Sequence, residues 1–351
     1  MLREKTFDTG TSVGRLLMQQ AEQWAREQGY SEVILRSNVI RARAHKFYES
    51  LGYTPIKSQK VFRKVTPPTR KDVSTQNAVK REPQHIFGID FSGAQEAGLK
   101  IWIASGMDTG EQLRIETCDS AAKLFGSKDR DHCLRSLYDF VGSKNDSIFA
   151  FDFPFGLPCA LVEEAEWVKF VLGFPSRYPN GYEAFAEKCR TMSGGRELRR
   201  LTDVVTKTPL SPYNRRLAAQ TYFGIKDVLR PLIQKGEACV LPMQEALPGK
   251  PLLIEVCPAS TVLFAKLDTR YKGRKLDKGK RVQRENVLRW LMESGNVSIK
   301  GQVCSTAIAN NEGDALDSVI AAFAAYRAYS GKFQVSDRGK HAYALEGYVY
   351  L

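Results

Sequence analysis

The chain has 351 residues, long enough for about two domains with cores of their own. Hydrophobic residues make up 43 % and charged residues 26 %, a globular balance that excludes a disordered polyelectrolyte, and no apolar run reaches the roughly 20 residues of a membrane span. The net charge of +13 points to a polyanionic partner, nucleic acid before membrane, because no lipid-binding segment accompanies it.

In chain order, VGRLLMQQAEQWAREQG (13–29) predicts a helix with Leu17, Ala21, Trp24 and Ala25 on one face and Gly29 as its stop. EVILRS (32–37) predicts a strand, RARAHKFYESLG (41–52) a second helix closed by Gly52, and KSQKVFRKV (57–65) a last strand. Residues 1–65 therefore form a small α/β head. Residues 66–84 carry three prolines and no apolar period, which predicts a linker to a body over 85–351. The opening residues lack the apolar stretch of a secretory signal. The seven cysteines are scattered and never in C-x-x-C spacing, so thiols in a reducing cytoplasm are expected.

Arg41, Ala44, His45, Phe47, Tyr48, Glu49, Leu51, Gly52 and Tyr53, followed by Lys57, Ser58, Phe62 and Lys64, spell a recognisable pattern. On these residues the head resembles the C-terminal part of the GNAT acyl-CoA N-acetyltransferases. The resemblance implies acetyl-CoA as cofactor, with its pyrophosphate on the turn containing Gly10, Ser12, Val13 and Gly14 at a helix N-terminus. It also implies Tyr48 as the phenol that protonates the leaving thiolate. The family's first strands have no counterpart before this turn, so the head is expected to be a remnant, active only if a longer start or a partner completes it.

The body opens with HIFGIDFSGA (85–94), a strand running into Asp90. LKIWIASGM and EQLRIETCD predict two further strands, making an antiparallel meander. After a helix at DHCLRSLYDFVG, SIFAFDFPFGLP is a buried strand ending in Asp152 and stopped by Pro154. A helical stretch of about a hundred residues follows. PLLIEVCPAS is then a strand carrying Glu255, NEGDALDSVIAAFAAYRAY a helix with Asp314 and Asp317 on one face, and EGYVYL a closing strand.

The placement of the acids carries the functional expectation. A carboxylate in an apolar strand is unfavourable unless it is paired or binds metal. Asp90, Asp152 and at least one of Asp314 and Asp317, with Glu255 as a less certain fourth member, are expected to converge as the hard oxygen ligands that Mg2+ or Mn2+ takes in phosphodiester cleavage. Glu255 has the alternative of pairing with an arginine from the helical stretch, and Asp314 that of capping its helix. The order of these segments resembles the ribonuclease-H-like fold. GIDFSGA, FDFPFGLP, IEVCPAS, GDALDSVIAA and EGYVYL together resemble the domain-of-unknown-function 429 family, which implies a nuclease-like body.

RYKGRKLDKGKRVQR (270–284) gathers Arg270, Lys272, Arg274, Lys275, Lys278, Lys280, Arg281 and Arg284 against Asp277 alone, and predicts a loop that contacts phosphates. A second basic group comprises Arg196, Arg199, Arg200, Arg215 and Arg216. The expected function is metal-dependent phosphodiester hydrolysis. The alternatives are N-acetyl transfer by the head and a non-catalytic nucleic-acid-binding module.

Overall fold

A computed structural model describes residues 13–27, 32–33, 35, 42–55, 84–273, 275–294, 296–336 and 339–351. The chain divides into two units, Met1–Ala78 and Val79–Leu351. In the first, α1 spans Val13–Glu27 and α2 spans Ala42–Glu49. The chain leaves α2 through Gly52, at φ 91°, the left-handed stop that its sequence predicts. The Tyr53 hydroxyl donates to Glu22 Oε1 at 2.9 Å and ties this turn to α1.

That bond also corrects the predicted face of α1. Of the predicted face, Ala25 is buried as expected, Ala21 is exposed, Trp24 is 58 % exposed and the Leu17 side chain lies outside the described residues, whereas Arg15, Met18 and Glu22 join Ala25 in the half-buried to buried stripe. Holding Glu22 inward turns the helix by about one position. Glu32, Val33 and Leu35 of the first expected strand are not in a strand. The rest of EVILRS, the strand over 57–65 and most of the linker lie outside the described residues.

The second unit is α/β, with a mostly parallel sheet. Its strands are β1 Gln84–Asp90, β2 Trp102–Asp108, β3 Leu113–Ser120, β4 Ile148–Phe151, β5 Cys239–Val240, β6 Leu252–Val256, β7 Val297–Ile299 and β8 Val349–Tyr350. They lie in the order β5-β6-β4-β1-β2-β3-β7, with β8 beside β6. β2 runs antiparallel to both β1 and β3, which is the predicted meander, and the remaining pairs are parallel. β5 and β7 escape prediction because two or three residues carry no readable period. Gln84, assigned to the linker, opens β1.

Period-2 alternation sorts the strand residues between two cores. Phe87, Ile89, Phe149, Phe151 and Leu253 face one core, covered by α3 (Arg130–Gly142) and by helices of the 159–235 segment, including α4 (Trp167–Arg177). Ile86, Ile148, Ala150 and Ile254 face the other, covered by α5 (Lys278–Ser294), α6 (Gly301–Ala309) and α7 (Asp314–Ser330). α5 corrects the sequence reading, since the second half of the predicted basic loop is helical.

α7 is buried along most of its length and lies across β1 to β4. Its alanines allow an approach so close that a Cβ on Gly88 of β1 would stand 2.1 Å from Ser318 O and 2.2 Å from Ala322 N. Only glycine fits there, because the obstacle is backbone on both sides. Gly88→Ala is therefore expected to destabilise the fold by about 3 kcal/mol or more in denaturant unfolding. A change within about 0.5 kcal/mol, the range of surface substitutions, would contradict this seating of α7 on β1.

Candidate functional site

Asp90 stands an even number of residues after Ile86 and Gly88, and Asp152 an even number after Ile148 and Ala150. Both side chains therefore belong to the face that α7 covers. Ile89 pairs with Phe151 in parallel register, and the Asp152 N–H donates to Ile89 O at 3.0 Å. The two acids thus end neighbouring strands. α7 starts after Gly313, at φ 85°, and its first turn carries Asp314 and Asp317. One carboxylate oxygen from each of Asp90, Asp152 and Asp317 lies within 4.8 Å of the others. Three acids remote in sequence meet at one point.

This crowding is electrostatically uphill and shows in the protonation equilibria. Burial drives the Asp90 carboxyl well above the ordinary carboxylate range; Lys272 opposes that shift, and Asp317, Asp314 and Asp152 add to it. Burial and Asp317 push Asp152 up to about 7. Burial, against Lys272, pushes Asp314 up to about 6. Lys272 relieves the cluster, with Lys100 acting on Asp314 as well. The Lys272 ammonium is ion-paired with Asp317 Oδ2. Burial works against that ammonium, but Asp317, Asp90 and Asp152 outweigh it and hold its pKa above the ordinary lysine value. The other oxygen, Asp317 Oδ1, accepts from the Tyr271 hydroxyl at 2.6 Å.

Glu255 follows a different parity. It pairs with Phe151 in the β4–β6 register, so it belongs to the opposite face, among the helices of the 159–235 segment. There it meets Arg200, which is 1 % exposed. Arg200 uses all five of its N–H groups: Nε and Nη2 to Asp203, Nη1 and Nη2 to Glu255, and Nη1 again to Glu346 O. Asp203 and Glu255 outweigh its burial and hold the guanidinium well above its ordinary range. Glu255 also accepts from the Phe155 N–H at 2.9 Å. Of the two sequence readings of Glu255, the arginine pairing is the one found. The carboxylate is a tie between β6 and the helical segment.

Asp90, Asp152, Asp314, Lys272, Arg200 and Glu255 all line one cleft of about 550 Å³. Its far wall is Thr208, Pro209, Leu210 and Leu217, and Lys100 and Glu312 form an ion pair at its edge.

The basic run does not act as one surface. Lys272 sits on the acids, and Arg284 is buried, donating to Tyr271 O at 2.8 Å and Ile308 O at 2.9 Å. Arg281 pairs with Glu285 and Arg270 with Asp268. Lys275 and Lys278 are exposed and Lys280 is half-buried; Arg274 lies outside the described residues. In the second basic group Arg200 is internal, while Arg196, Arg199, Arg215 and Arg216 are exposed. A count of charges could not separate these roles. The signal for Lys272 was indirect, since clustered buried acids require a cation.

In the first unit, Tyr48 is half-buried, with its ring 5.5 Å from Phe47 and 6.2 Å from Tyr53. The backbone of Val13 and Gly14 opens α1, and Gly10 and Ser12 lie outside the described residues.

Residues 9–53 match the model of the acetyltransferase (GNAT) family. No curated protein and no solved structure matches the chain. No helix among the described residues is long and apolar enough to cross a membrane.

The raised carboxyls set a direction for stability against pH. A carboxyl whose folded pKa exceeds its unfolded one stabilises the fold at low pH and loses that contribution as pH rises through the folded value. For Asp152 that window runs from 3.8 to about 7. In chelator, Asp152→Asn is therefore expected to match the parent in thermal unfolding near pH 4 and to exceed it at pH 8. The same difference at both pH values would contradict the shift.

Proposed function

We propose that the body is a divalent-cation-dependent phosphodiester hydrolase of ribonuclease-H-like architecture. The observation that carries this reading is the convergence of Asp90, Asp152 and Asp317 from three separate elements within 4.8 Å. Two further features support it. In the strand order β3-β2-β1-β4-β6, β2 alone is antiparallel, and the strands associated with acids, β1, β4 and β6, lie side by side in sequence order. The cluster also opens on a cleft lined mainly by acids, in which Lys100 and Lys272 are each ion-paired, a charge balance that a divalent cation would complete.

The three aspartates are the residues that would hold Mg2+ or Mn2+, ions that prefer carboxylate oxygen and cluster donors in this way. Bound there, such an ion supplies a water of lowered pKa and neutralises charge at phosphorus. The chain does the rest. Tyr271 fixes the orientation of Asp317, and Asp314 adds a carboxylate to the cleft lining. Exposed Lys275 and Lys278 extend the attraction for a polyanion beyond the cleft, and nucleic acid is the partner proposed.

A second reading rests on the family match over residues 9–53: acetyl-CoA-dependent N-acetyl transfer by the head, with Tyr48 as general acid and the Gly10–Gly14 turn on the cofactor pyrophosphate.

The two readings separate in one preparation. Wild type, Asp90→Asn and Asp317→Asn are incubated with Mg2+ and end-labelled single- and double-stranded DNA and RNA. Cleavage by the wild type is expected, with both variants at background and folded by circular dichroism. Cleavage that survives in Asp90→Asn would remove the cluster from the chemistry. Absence of cleavage by the wild type, together with acetyl-CoA turnover on amines, would assign the activity to the head.

A further inference from the structure

The carboxylate cluster already holds a cation of the chain's own. Asp317 is 1 % exposed and both its oxygens are engaged, Oδ1 by Tyr271 and Oδ2 by the Lys272 ammonium. An ion shared by Asp90, Asp152 and Asp317 would therefore meet the Lys272 ammonium at a carboxylate whose two oxygens are both already engaged. The backbone beneath Lys272 is fixed on both sides. Tyr271 is fully buried, with its carbonyl accepting from Arg284, and the Gly273 N–H donates to Asn311 O at 2.8 Å. The Lys272 side chain, by contrast, is 46 % exposed and borders the cleft. Its ammonium can leave Asp317 by rotation of its own four-carbon chain, without moving the loop.

We propose that Lys272 is a resident counter-cation that competes with the divalent ion for Asp317 and swings into the cleft when the ion binds. The inference rests on the metal-centre reading of the cluster. In the ion-free state Lys272 neutralises acids that would otherwise repel one another. In the ion-bound state its charge is released on the side where a phosphate would enter, so ion and phosphate binding reinforce each other through one side chain. Lys272 is thus a positioning residue that links ion loading to substrate charge.

The test titrates Mn2+ into the full chain and follows loss of the free-ion paramagnetic signal, for wild type and Lys272→Met. The variant is expected to bind Mn2+ at least about tenfold more tightly, because no charged hydrogen bond has to be broken first. Equal or weaker binding by the variant, with the wild type binding normally, overturns the competition and leaves the metal centre standing. No binding to either chain overturns the metal centre and the competition with it. Removing the ammonium can also weaken the ion-free fold, so a second measurement uses the wild type alone. Its lysines are acylated with acetic anhydride and mapped by mass spectrometry, with Lys275 as the exposed reference. Mn2+ is expected to raise the rate at Lys272 severalfold relative to Lys275. An unchanged or slower rate overturns the proposal.

Discussion

Three carboxylates held within 4.8 Å of one another in a buried site repel, and each loses the solvation that would screen it. The fold accepts this arrangement, and most of its other features follow from doing so. The meeting point exists because α7 lies on β1 at backbone contact, which Gly88 and the alanines of α7 permit. It lies at the strand ends because the parallel register sets Asp90 beside Asp152. Ordinary side chains between helix and sheet would lift Asp317 away and disperse the charge. The alanine-rich helix is therefore a spacing device for the acids as well as a core element.

A second charged network stands on the other side of the sheet and does different work. Arg200, Asp203 and Glu255 have their hydrogen-bonding capacity used within the chain, with Glu346 taking the N–H groups of Cys159 and Leu201. Such a set is stable because every member is satisfied, and removing one partner would strand a buried charge. The aspartate cluster is the opposite case: Asp90, Asp152, Asp314 and Asp317 crowd together, and the Lys272 ammonium on Asp317 balances them only in part. The Arg200 network is closed and structural.

Much of the body was legible in its sequence because its central strands are apolar runs ended by an acid or a proline, and because α7 is long and apolar over its middle turns. The parity of Asp90 and Asp152 relative to Ile86 and Ile148 was also on the page, and with it their shared face. Glu255 was not, since its face depends on which residue of β4 it pairs with, a register that no local pattern reveals. β5 and β7 were too short to carry a period. The basic run misled for a physical reason: charge density in one dimension says nothing of which ammonium turns inward, and Lys272 and Arg284 do so while Lys275 and Lys278 do not. In the head, the stripe on α1 was misplaced because a polar contact, Tyr53 to Glu22, outweighed hydrophobic periodicity.

The central claim is that the aspartates of β1, β4 and α7 form a site for a divalent cation. Crystals of the full chain soaked in Mn2+ and measured at the manganese absorption edge test it most directly. The account predicts an anomalous peak bonded to oxygens of Asp90, Asp152 and Asp317, with the Lys272 ammonium displaced from Asp317. A cluster that stays free of manganese at saturating concentration, with Lys272 still on Asp317, would contradict it.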